Sequence, residues 1–106
     1  MSIVASAPTT RKTVLVLGRS AAGLPVPPSV DGDEAIVVLA IGWPLTDAQR
    51  SVLHEAEDAA RRSRVVFDAH LLASADGIAP MLGATDRLMV DAGARETRRI
   101  QRALAR

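Results

Sequence analysis

Cysteine and tyrosine are missing from this 106-residue chain, which holds one phenylalanine and one tryptophan. Without thiols there is no disulfide, no thiolate metal site and no cysteine nucleophile. That composition fits a reducing compartment, and a cytoplasmic location is expected. Lysine is nearly missing too: of thirteen basic residues only Lys12 is not arginine. Arginine forks suit phosphates and carboxylates better than ammonium groups do. Long apolar runs are also lacking. The longest unbroken apolar run near the N-terminus is only a few residues, and Arg11 and Lys12 follow it; it is too short for a signal-peptide core or a membrane span. A soluble protein without a membrane partner is expected.

What is present is aliphatic. Hydrophobic residues make up 48% of the chain, and folding at this length removes roughly 60–70% of the unfolded surface from water. One domain can therefore stand without staples. Net charge is only +1, yet its layout is bipolar. Residues 31–58 carry seven acids against Arg50, and residues 87–106 carry six arginines against Asp91 and Glu96.

Hydrophobic periodicity divides the chain. Residues 1–12 lack it and read as a flexible tail ahead of a single domain over 13–106. TVLVLG (13–18) is a short apolar run closed by a turn signal, hence a buried strand. Residues 18–33, rich in Pro and Gly, form a loop with at most one helical turn at Ser20 to Gly23. EAIVVLAIG (34–42) is apolar without alternation, as in a strand covered on both faces. A helix over 46–63 is marked by the capping box Thr46-x-x-Gln49. Glu57 with Arg61 and Asp58 with Arg62 are i,i+4 pairs on its wet face.

RVVFDAHLL (64–72) opens as another buried strand, and beyond Asp68 the pattern also fits a helix start capped by Asp68. Pro80 forbids a regular helix through 75–83, leaving one turn around Ile78 to Leu82. RLMVDA (87–92) is a fourth strand. Residues 93–106 form a terminal helix with Ala94, Thr97, Ile100, Ala103 and Leu104 turned inward. The order β-loop-β-α-β-α-β-α predicts a single three-layer α/β domain with about four mainly parallel strands. The expected core comprises Val14, Leu15, Val16, Ile36, Val38, Leu39, Val52, Val65, Phe67, Leu88, Val90, Ile100 and Leu104.

Several places invite chemistry. Gly18, Arg19, Ser20 and Gly23 open like a phosphate-cradling loop, G-x-x-x-x-G. A working P-loop needs Lys and Ser or Thr after the second glycine, and Leu24 and Pro25 stand there. The plainer reading is a small-residue turn, and a residual anion site at a strand's C-terminal end is the functional one. Asp68 and His70, two apart on a strand, share a face. With Asp91 they could form a general-base or metal cluster. The plainer reading is a helix cap or polar strand end. His54 has Asp58 where a zinc-protease helix needs a second histidine, so that pair reads as solvated.

Arg95, Arg99, Arg102 and Arg106 are spaced four, three and four apart, with Arg98 beside them. They stack along one helix face. Such a stripe can bind an acidic protein surface, including the 31–58 segment of a second copy, or nucleic acid. Its plain reading is a solvated face suited to the helix C-terminus. The pI near 8.5 falls short of a dedicated nucleic-acid domain, and no aromatic residues interleave with these arginines. Trp43 is a candidate anchor for a partner. No cofactor or metal is expected. A non-catalytic interaction or regulatory module, self-associating through its acidic and basic segments, is the expectation. The alternatives are a small nucleotide- or anion-binding domain or enzyme at the strand ends, and nucleic-acid binding through the arginine helix.

Overall fold

The computed structural model describes residues 11–18, 26, 30, 32, 34–42 and 44–105. Strands β1 (Arg11–Leu17), β2 (Glu34–Ile41), β3 (Phe67–Leu72) and β4 (Arg87–Asp91) form a sheet of order β3-β2-β1-β4. Every pairing in it is parallel. Helices α1 (Asp47–Ser63) and α2 (Ala94–Leu104) follow β2 and β4. Two 3₁₀ turns, Ala75–Gly77 and Ala79–Met81, connect β3 to β4. The expected three-layer α/β architecture is present. Pro80 interrupts the β3–β4 connection as its fixed φ and missing N–H require.

Strand alternation divides the core in two. Leu15, Leu17, Ile36 and Val38 point to one side, where Val52, Ala56, Ala59 and Ala60 of α1 cover them. Val14, Val16, Val37 and Leu39 point to the other, beneath Ile78 and the α2 residues Ile100 and Ala103. All eight residues of β2 are buried. Full burial of a side chain such as Leu15 or Ile100 contributes about 1.5–3 kcal/mol. The alanines of α1 let that helix lie close to the sheet.

At the start of α1 the capping box is made: the Gln49 N–H donates to Thr46 Oγ1 at 3.1 Å, and the Thr46 N–H donates to Gln49 Oε1 at 2.9 Å. On the wet face Arg61 takes both acids, Glu57 at 3.5 Å and Asp58 at 3.7 Å. Arg62 does not take the expected Asp58. The helix ends in a left-handed cap at Arg64, φ 56° and ψ 39°. The Arg64 N–H reaches the Arg61 carbonyl at 3.3 Å and the Val65 N–H reaches that of Ala60 at 3.0 Å, the Schellman pattern.

Other expectations shift. Arg11 and Lys12 belong to β1 and not to a tail. Arg64 and Val65 are taken up by the cap of α1, and β3 begins at Phe67. It lies at an edge of the sheet and is half exposed, not buried. Val65, Phe67, Leu88, Val90 and Leu104 pack at the core's margin and are only partly buried. Ala94, in the exposed first turn of α2, faces out.

Glu34 is the largest departure. Charge counting put it in the acidic segment, but it is buried at 6% exposure. Thr13 Oγ1 donates to Glu34 Oε2 at 2.8 Å and accepts from Arg87 Nη2 at 2.9 Å. Arg87 Nη2 is also 3.7 Å from Glu34 Oε2. This network ties β2, β1 and β4 together at the amino ends of the strands, on the α1 side.

Candidate functional site: the carboxyl rim and the arginine face

In open parallel sheets ligands gather beyond the carboxyl ends of the strands, where the chain reverses its direction of winding. Here the reversal lies between β1 and β4. That point is filled. The Gly18 N–H donates to the Asp91 carbonyl at 3.0 Å, and the Gly18 carbonyl accepts from Gln49 Nε2 at 2.7 Å. A Cβ on Gly18 would meet Ala92 Cβ at 2.6 Å and Glu96 Cγ at 3.0 Å. The glycine is thus required by close packing, and its amide is committed within the fold. It offers no donor to an anion. Arg19, Ser20 and Gly23 lie outside the described residues.

The open space is displaced toward the ends of β2 and β3. A cleft of about 350 Å³ lies between α2 and the start of the β3–β4 connection. Ser74, Asp76, Glu96, Arg99 and Arg102 supply its polar walls, and Ile41, Ala75 and Ala103 are among its apolar ones. A second groove of about 260 Å³ runs along α2, lined by Arg95, Arg98, Arg99 and Arg102. Ile100 and Ala103 anchor the helix to the sheet, so these four arginines face solvent. Among the described residues, only Arg99 of the four makes an ion pair, at 3.8 Å to Glu96. Arg106 and Trp43 lie outside the described residues.

Asp68 and His70 do meet: His70 Nε2 lies 2.8 Å from Asp68 Oδ2. Both sit on β3, so Asp68 is a strand residue and not a helix cap. Asp91 ends β4, three strand positions away across the sheet, a separation of roughly 14 Å. The three do not converge, and neither Asp68 nor His70 lines the cleft. No group of three His, Cys, Asp or Glu among the described residues could hold a metal ion. None of their helices is long and apolar enough to cross a membrane.

Ser74, Asp76 and Glu96 were not singled out from the sequence. They carry no motif, and only the packing of α2 over the β3–β4 connection makes them neighbours. Gln49 was legible as half of a capping box, but its bond to Gly18 spans 31 positions and leaves no local signal.

Compared with protein-family models, with curated proteins and with solved structures, the chain matches none significantly.

Proposed function

We propose that this chain is a non-catalytic interaction module whose contact surface is the arginine face of α2 together with the adjoining cleft. Its partner is an acidic segment of protein. The observation that carries this reading is the shared groove of Arg95, Arg98, Arg99 and Arg102, four guanidinium groups held on one face by a buried apolar stripe. Arginine forks bind carboxylates in pairs of parallel hydrogen bonds.

The lining of the cleft supports protein over nucleic acid. Asp76 and Glu96 stand beside Arg99 and Arg102. A phosphodiester strand carries its charge at every residue and meets repulsion there, whereas an acidic segment of protein can set neutral residues against those two carboxylates and its own carboxylates against the arginines. The acidic side chains of α1, Glu55, Glu57 and Asp58, are exposed but lie on the opposite face of the sheet from α2. Docking them on the α2 of a second copy would be a head-to-tail contact, which propagates unless its rotation closes a ring. A separate acidic partner avoids that outcome.

The test is a titration of a labelled acidic peptide, its Glu residues interspersed with neutral ones, and of labelled duplex DNA, followed by fluorescence anisotropy at two salt concentrations. The peptide should bind, and the variant Arg95→Gln/Arg99→Gln/Arg102→Gln should lose that binding. DNA binding by the wild type, with a salt slope that falls by about 0.9 per lost phosphate contact in the variant, would replace the protein partner with nucleic acid. Unchanged behaviour in both titrations would reduce the stripe to a solvated face.

A further inference from the structure

The open edge of β3 carries its own information. Val66, just before the strand, is 67% exposed and Leu71 is 51% exposed. The Val66 carbonyl accepts from the Ile36 N–H at 2.8 Å and the Leu72 carbonyl from the Gly42 N–H at 3.1 Å. Backbone groups of the even-numbered residues therefore face β2. By strand alternation, Phe67, Ala69 and Leu71 direct their N–H and C=O groups to the edge, which has no strand beside it among the described residues. An unpaired edge of this kind is a template for another strand.

We infer that β3 pairs with β3 of a second copy, antiparallel, about a two-fold axis at Ala69. This goes beyond the α2 reading and rests on different residues, so either can fail alone. The register follows from parity and charge. Only odd-numbered residues can exchange edge hydrogen bonds, so only shifts of two residues are allowed. Centred on Ala69, Phe67 bonds opposite the second copy's Leu71, and Ala69 opposite its own equivalent. Asp68 then lies opposite the second copy's His70, and Val66 opposite its Leu72. These fall at non-hydrogen-bonded positions, where side chains approach most closely. Every apolar residue meets an apolar one, and the carboxylate meets the imidazole.

The neighbouring registers lack this match. Shifted two residues one way, Asp68 opposes Asp68; shifted the other way, His70 opposes His70 and Asp68 opposes Leu72. Like charges directly opposite one another destabilise a sheet, and aromatic, aliphatic and opposite-charge pairs stabilise it. The segment Val66 to Leu72 is thus chemically self-complementary in one register. The axis stands perpendicular to the sheet, giving a continuous eight-stranded sheet in the assembly. Both α2 helices then lie on the same face, so an acidic partner meets two arginine grooves side by side, and linked contacts strengthen one another.

Two measurements test this. The chain has no cysteine, so Ala69→Cys introduces a single thiol. Across a hydrogen-bonded antiparallel pair the Cα atoms stand about 5.5 Å apart, within disulfide range. Mild oxidation should convert Ala69→Cys to a covalent dimer. The same thiol placed at exposed Ala94 should give only the background of random collisions. In sedimentation equilibrium the wild type should dimerise, and His70→Asp, which sets carboxylate against carboxylate, should dissociate roughly tenfold more readily. The exchange Asp68→His/His70→Asp should restore the dimer. A wild type that stays monomeric at all concentrations, cross-linking no better at residue 69 than at 94, or a double exchange that fails to rescue while circular dichroism shows it folded, would overturn the pairing. The edge would then be left for a strand of a different protein.

Discussion

Gln49 Nε2 donates to the carbonyl of Gly18 at 2.7 Å while Gln49 Oε1 accepts from the N–H of Thr46 at 2.9 Å. One buried amide thus closes the first turn of α1 and fastens that turn to the carboxyl end of β1. Its flat, two-ended chemistry is what the place requires: a donor toward a strand carbonyl and an acceptor toward a helix cap.

Removing this amide should cost more than removing the cap alone. Thr46→Ala deletes one capping bond and should destabilise by about 1 kcal/mol. Gln49→Ala deletes its own capping bond and also leaves the buried Gly18 carbonyl unpaired, for a total loss of about 2–3 kcal/mol. Urea unfolding of both variants checks the difference. Equal losses would mean that the link to Gly18 contributes nothing.

Gly18 and Ala92 form a size-matched pair. Gly18→Ala would bring a methyl group to 2.6 Å from Ala92 Cβ, an overpacking expected to cost about 1–3 kcal/mol. Ala92→Gly in the same chain should recover part of that loss, since contacting residues couple. A double variant whose losses simply add would exclude the steric explanation. The measurement is a double-mutant cycle by thermal or chemical denaturation.

Arg64 offers a gain. Its left-handed conformation, φ 56°, is strained for a residue with a Cβ and free of strain for glycine. The side chain is exposed. Arg64→Gly should therefore raise stability by about 0.5–1 kcal/mol, relief at the cap exceeding the added entropy of the unfolded chain. A lower denaturation midpoint would show that the side chain contributes more than the strain costs.

The periodicities made the elements readable. Uninterrupted apolar runs marked β1 and β2, Thr46 and Gln49 marked α1, Pro80 marked the break before β4, and the alternation of strands and helices implied parallel pairing. These are local signals, because backbone geometry and burial on one or two faces constrain neighbouring residues directly. Charge did not read as simply. Glu34 counted as part of an acidic surface, but the fold buries it between Thr13 and Arg87, residues 21 positions earlier and 53 later. Asp68, His70 and Asp91 all stood at strand ends, and only the strand order sent Asp91 to the far edge.

Residue type and spacing by themselves determined β1, β2, β4, the capped helix and the arginine stripe, since each rests on the period of one segment, while β3 beyond Asp68 stayed open between strand and helix. The tertiary structure decided what lies next to what: β3 at an open edge, Gly18 against Ala92, the cleft beneath α2, and the acids of α1 on the opposite face from the arginines. The physical reason is that strand order and layer assignment depend on contacts between segments far apart in the chain. Such contacts leave no period in any one of those segments.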